Sequence, residues 1–209
     1  MAYDLLVKKL TLLKKSYLSA AEIRAYCSVL RLDYYAAIGY LTRHKHLHRI
    51  LKGIFYRPTI AERKLKTIPV THVEALAEAL RMKKVTHWYL GLETALMMHH
   101  LTHEFFTTDT IINDTIFRKH TVAVLGRKVR FIKVKRSLFR KGISRVGHAP
   151  CASVEKTVLD MVYLSKYRGL PDAEIEARIR PLLKHCSREA LAALSKDYTA
   201  STAHFILSL

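Results

Sequence analysis

Residues 19–58 carry three chain signals in an order that few folds accommodate. "SAAE" places Ser19 three residues before Glu22, so hydroxyl and carboxylate can each satisfy a free backbone N–H at a helix start. Ile23, Tyr26 or Cys27, and Leu30 then recur at helical spacing. "RLD" interrupts the pattern, and Asp33 is a good N-cap for another helix, whose inward positions are Tyr34, Ala37 or Ile38, and Leu41. "HLHRILKGIFYRP" follows, with β-rich runs on either side of a Lys52-Gly53 turn. An earlier amphipathic helix is expected from Leu6, Leu10 and Leu13 with Lys8, Lys9, Lys14 and Lys15 beside them, ending near "KKSY". Helix, helix, short turn, helix and hairpin is the order of a winged helix-turn-helix unit.

Charge bears on what such a unit would touch. The 209 residues contain 36 Lys or Arg against 17 Asp or Glu, a net charge of +19, and a field of that sign concentrates polyanions. Residues 1–68 alone hold fourteen basic side chains and four acidic ones, the footprint expected of a DNA binder. In a winged helix-turn-helix the third helix enters the major groove while the wing follows the backbone or a minor groove. The candidate DNA contacts are therefore Tyr34, Tyr35, Tyr40 and Arg43 from the helix and Arg49, Lys52 and Arg57 from the hairpin. Tyr35, Tyr40 and Arg43 are expected to face outward, although tyrosines at helical spacing more often pack into a core. A solvated basic face on a protein-docking module would have the same composition.

The expected fold class is α+β, with domains at 1–60 and 71–209 and a basic linker at 61–70, bracketed by Pro58 and Pro69. The second domain is expected to be mixed, with a small sheet and a C-terminal helical segment. Thr71 and Glu74 form another capping box, and one helix is expected over "WYLGLETALMMHHL". From about residue 104 the texture becomes β-branched and aromatic, with a hairpin turn at Gly126-Arg127. After "GHAPCAS" the helical period returns, with Ser153 as N-cap and further helices from Asp172, from Ser187 and over "STAHFILSL". Between 127 and 141 lie eight basic residues and no acid. Arg127, Lys128, Arg130, Lys133, Lys135 and Arg136 are read as a second basic surface, with a lysine-protected edge strand as the plain alternative.

Catalytic signatures are missing. There is no phosphate-binding glycine loop, dinucleotide fingerprint or nucleophile elbow, and Glu62-Arg63-Lys64 supplies only half of a nuclease pattern. His99 and His103, four apart with Glu93 and Glu104 nearby, could bind a metal on a helix, yet the order matches no known signature. Neither a catalytic residue, a metal nor a cofactor is expected, and a metal-dependent enzyme remains only as the least favoured alternative. Cys27, Cys151 and Cys186 are an odd, widely spaced set, read as reduced thiols. No apolar run reaches the length of a membrane span, and no signal peptide opens the chain, so a cytoplasmic protein is expected.

The N-terminal unit with its "LHRILKGIFYRP" wing, the "ETALMMHHLT" segment leading into strands and "ASVEKTVLDMVY" opening a later helix together resemble the AbiEi family, over roughly residues 5 to 165. The match departs at His100, where the family has glycine, and in "EKTVLD", where it has an acidic residue and Arg-Thr-Leu-Leu-Asp; Glu155, Thr157, Leu159 and Asp160 match. The resemblance implies an antitoxin and transcriptional repressor of a type IV toxin-antitoxin system, used in abortive infection as phage defence. Such a repressor binds inverted repeats of double-stranded DNA in its own promoter and opposes a nucleotidyltransferase toxin without a stable complex. A basic RNA- or protein-binding module without that role is the alternative. Preference for structured RNA over duplex DNA would mark it.

Overall fold

The computed structural model describes residues 2–147 and 149–209. Among them are ten α-helices and two sheets, a mixed α+β architecture. The chain divides into two compact units, 1–86 with 122–127, and 87–121 with 128–209.

The first unit begins with α1 (Ala2–Thr11), β1 (Tyr17–Ser19) and α2 (Ala20–Val29). Ser19 caps α2 through a reciprocal capping box with Glu22. Next come α3 (Tyr34–Arg43), β2 (His48–Leu51) and β3 (Ile54–Tyr56). Asp33 Oδ1 accepts the Ala36 N–H at 2.7 Å and starts α3. The three strands form an antiparallel sheet in the order β1-β3-β2, so the "IFY" strand is central and wholly buried. Leu6, Leu18, Ile23, Ala37, Leu41 and Phe55 meet in one core. Full burial of each larger apolar side chain there contributes about 1.5–3 kcal/mol.

Residues 61–70, expected to link two domains, are part of this unit instead and carry most of α4 (Ile60–Leu65). Thr59 and Glu62 make its capping box, and α5 (His72–Met82) follows from the box of Thr71 and Glu74. Ala75, Leu76, Ala79 and Leu80 bury one face of α5. The boundary between the compact units therefore falls after α5, because that helix needs the small sheet to cover its apolar stripe.

The second unit opens with β4 (Trp88–Leu90) and α6 (Glu93–Met98), where one helix over "WYLGLETALMMHHL" was expected. The break is local: Leu92 has φ +51°, and a Cβ on Gly91 would lie 2.6 Å from Ile112 Cδ1, so a larger residue there would have to displace that side chain on the neighbouring strand. Then come β5 (Thr108–Asn113), β6 (Val122–Val124) and β7 (Arg127–Lys133), with β6 belonging to the first unit. The β6–β7 turn is Leu125-Gly126, one residue earlier than expected, and both residues have positive φ. The last strands are β8 (Ile143–Val146) and β9 (Ala149–Ala152).

Within the second unit the strand order is β7-β5-β4-β9-β8. β5 runs antiparallel to β4 and parallel to β7, while β9 runs parallel to β4 and antiparallel to β8. Four helices complete the unit: α7 (Val154–Tyr167), α8 (Asp172–Leu183), α9 (Arg188–Ser195) and α10 (Ala200–Leu207). Ser153 caps α7 and Ser187 caps α9, as their sequence positions imply. Val158, Leu159, Val162, Ile175, Ile179 and Phe205 form the core of this helical layer. Beside it, Asp160 accepts from Tyr198 Oη at 2.6 Å and Tyr89 Oη at 2.9 Å, with Lys156 Nζ 3.7 Å away. Burial pushes the Asp160 carboxyl up and the Lys156 ammonium down; their mutual attraction opposes both shifts, and the two hydroxyl donors oppose that of Asp160. Among the described residues, no helix is long and apolar enough to cross a membrane.

Candidate nucleic-acid interface

The outer face of α3 is set by its inner one. With Ala37, Ile38 and Leu41 buried, positions 35, 39 and 43 share the opposite side at i, i+4 spacing. Tyr35 is 75 % exposed. A Cβ built on Gly39 would meet no atom within 4 Å, so the middle of this face is open and carries no side chain. Arg43 is exposed in the last turn, where its charge also favours the helix dipole.

The other two tyrosines are differently occupied. Tyr40 is half-buried, stacked on Tyr3 at 4.7 Å between centroids, with His44 at 4.5 Å. Tyr34 is half-buried beneath the Arg24 guanidinium, 4.5 Å from its ring centroid, and its edge meets Tyr35. These rings shape the helix from within and are withdrawn as base-contacting candidates, because packing has already used their faces.

The hairpin presents Arg49 and Lys52, both exposed, and Arg49 lies over the Phe55 ring at 5.7 Å. Neither they nor Arg43 have a carboxylate partner among the described residues. Gly53 has φ +79°, the conformation its turn requires, and its carbonyl accepts the Ala20 N–H at 2.7 Å. The hairpin tip is thereby tied to the start of α2. Arg57 does not join this surface. It is 7 % exposed, and its Nη2 donates to Leu13 O at 2.8 Å and Lys15 O at 3.0 Å, with Nε donating to Lys15 O at 3.2 Å. The guanidinium's Nε and Nη2 serve the carbonyls that follow α1 and are thereby taken from any phosphate.

A cleft of about 340 Å³ lies beside this face, lined by His44, Lys45, His48, Arg63 and Lys66 among others. Its α4 side falls in the stretch whose prolines and charges imply a linker, yet a helix-start signal is present there. "TIAE" repeats the spacing of "SAAE" and "THVE". Glu62 of that box also accepts from Tyr56 Oη at 2.8 Å, fastening α4 to β3. The tyrosine pKa rises far above its ordinary value through burial and that carboxylate. Arg63 Nη1 donates to His46 Nδ1, and burial with the nearby Arg63 charge pulls the imidazole pKa down.

The expected second basic surface is divided. Strand alternation puts Lys128 and Arg130 on one face of β7 and Arg127 and Lys133 on the other. Arg130 is engaged by Glu93 at 3.1 Å and by Thr110 Oγ1 at 3.0 Å. Lys133, Lys135 and Arg136 remain exposed near the end of the strand. Within the second unit β7 is the end strand and pairs on one side with β5 over 128–133, which also fits the plain alternative of a lysine-protected edge strand.

The histidine cluster does not assemble. α6 ends at Met98, His99 is its C-cap, and His100 turns the chain at φ +56°. His99 Nε2 bonds Ala152 O at 2.7 Å, while His103 and Glu104 are exposed beyond the turn. No group of three His, Cys, Asp or Glu side chains among the described residues could hold a metal ion. The three cysteines are free thiols.

No protein-family model matches the sequence, and the curated proteins give no significant match. Among solved structures, the RV2827C protein from Mycobacterium tuberculosis is similar in fold. The TM-score is 0.58 at 14 % sequence identity, over 99 % of this chain and 76 % of that one.

Proposed function

We infer that the protein is a sequence-specific binder of double-stranded DNA that acts as a transcriptional repressor, its N-terminal elements working as a winged helix-turn-helix. The carrying observation is the exposed face of α3, with Tyr35, the open Gly39 position and Arg43, together with the unpaired, exposed cations Arg49 and Lys52 on the following hairpin. A helix with a bare centre can approach base edges closely, and flanking cations fix its register on the phosphates. Arg43 is suited to guanine, which presents two acceptors to a guanidinium in the major groove.

On the AbiEi resemblance, the repressor is also the antitoxin of a type IV system. One further observation favours that assignment. His100 has a left-handed backbone at the position where the family has glycine, the residue that adopts this conformation without strain. The partner would be a nucleotidyltransferase toxin opposed without a stable complex. Co-expression with a nucleotidyltransferase encoded by a neighbouring reading frame should restore growth, whereas stoichiometric co-purification of the two would refute the absence of a complex.

DNA binding is tested by fluorescence anisotropy on the upstream region of the gene. If about five phosphates are neutralised per copy, log affinity falls with log salt at a slope of about −4.5. A flat salt dependence refutes the mechanism. Arg49→Ala with Lys52→Ala should weaken binding to every duplex, while Tyr35→Ala or Arg43→Ala changes preference among sequences. Uniform loss from both sets would contradict the division between reading and anchoring.

A further inference from the structure

The second unit contains a concavity of about 730 Å³ whose chemistry differs from that of the α3 face. Two rings stand open on it: Tyr167, the last residue of α7, is 84 % exposed, and Phe117 is 70 % exposed. Tyr163, one turn before Tyr167, lies on the same side of the helix and also lines the concavity. Between and around these rings are Arg118 and Lys119, Lys133 and Lys135, and Arg168, all exposed. No acidic side chain lines the concavity, and none of these five cations has a carboxylate partner among the described residues.

The rings are held in place rather than left on a loose loop. Asn113 is fully buried at the end of β5. Its Oδ1 accepts from the backbone of Thr115 at 3.0 Å and from Ile116, and its Nδ2 donates to Ile116 O at 3.0 Å. The segment that carries Phe117 therefore leaves the sheet at a pinned angle. The same residue's carbonyl accepts the Val134 N–H at 2.9 Å, which places Lys133 and Lys135 relative to that segment. Tyr167 is carried by a fourteen-residue helix with its C-terminal carbonyls satisfied by the Arg168 N–H.

Open aromatic faces interleaved with unpaired cations are the recognition elements for a strand whose bases are free to stack and whose backbone is anionic. We propose that this concavity binds a single-stranded polynucleotide, with bases stacking on Tyr167 and Phe117 and the five cations following its phosphates. A duplex does not satisfy the site, because its bases are already stacked and present no free face. An acidic peptide would use the cations and leave the rings without purpose. A lipid surface calls for rings and cations arranged along a flat or convex face, whereas here they converge on a hollow. The proposal does not depend on the α3 face of the first unit.

The test is fluorescence anisotropy of the full chain with a labelled oligothymidylate of about twelve nucleotides. Tyr167→Ala and Phe117→Ala should each weaken binding about tenfold, and Lys133→Glu with Lys135→Glu should weaken it further and reduce the salt slope. Arg49→Ala with Lys52→Ala should leave it unchanged. All four residues substituted in the second unit are exposed, so circular dichroism should be that of the parent chain. Wild-type affinity in both ring variants would overturn the proposal. So would displacement of the oligonucleotide by blunt duplex DNA or by phosphatidylserine vesicles, since either would assign the surface to a different occupant.

Discussion

Arg57 offers the sharpest separation of architecture from recognition, because by sequence it belongs to the basic hairpin and by burial it does not. Replacing it with alanine deletes three hydrogen bonds from a charged donor to two carbonyls, Leu13 O and Lys15 O. Each such bond contributes about 1.5–3 kcal/mol. The three share two acceptors, and the segment after α1 is exposed enough to regain water once the guanidinium is gone, so the terms do not add fully. A cost of about 2–4 kcal/mol follows. In a unit of this size each kcal/mol moves the midpoint by about 4–8 °C, so the first unit should melt roughly 8–32 °C earlier. Duplex affinity, measured well below that transition, should change by less than about twofold, the level expected from one distant charge screened by salt. Arg57→Lys keeps the charge but loses the fork, and should fall between parent and alanine in stability with unchanged affinity. Calorimetry and anisotropy on the same three proteins check both halves. A variant that melts with the parent yet binds DNA tenfold more weakly would refute the reasoning and return Arg57 to the phosphate-contacting set.

Lys156→Met removes the cation facing Asp160 and leaves a buried carboxylate held only by Tyr89 and Tyr198, which should cost about 3–5 kcal/mol; an unchanged urea midpoint would contradict this. His46 has a pKa below the ordinary histidine value, through burial first, then the Arg63 and His44 charges, with Asp4 opposing. Its neutral form is therefore the folded one. The stability this confers is present above the unfolded pKa of 6.5 and is lost as pH falls through the lower folded value. His48, lowered by burial and by Lys45, acts in the same direction. Denaturation midpoints taken from about pH 8 to pH 5 should decline, and His46→Asn, which retains an acceptor for Arg63, should flatten the profile. His100→Gly should raise the stability of the second unit by up to about 1 kcal/mol by relieving the left-handed backbone, and a loss would show that the imidazole makes a contact of greater worth.

Much of the fold was legible wherever a local rule is sufficient. Ser19, Asp33, Thr71, Ser153 and Ser187 each start the helix that their position predicts, since a cap acts on backbone groups within the next three residues. Thr59 could have been read the same way, and only the surrounding prolines and charges disguised it. The β1 strand at Tyr17–Ser19 had no such signal. Three residues carry no usable period, and they are a strand only because β3 supplies their hydrogen bonds.

The candidate site divides along the same line. Which positions of α3 face outward follows from a 3.6-residue period, so Tyr35 and Arg43 could be placed from sequence. Whether an outward-looking side chain is free could not. Tyr40 is taken up by Tyr3, Arg130 by Glu93 and Thr110, and Arg57 by carbonyls more than forty residues away in the chain. Likewise "WYLGLETALMM" satisfies both a helical and an extended pattern, and pairing with β5 and β9 selects the strand for its first residues. Local chemistry determined where helices begin, which faces are apolar and how much positive charge the chain carries. Pairing between distant segments decided which strands exist and which charges reach solvent, because hydrogen-bond partners and burial are properties of neighbours in space that neither spacing nor composition encodes.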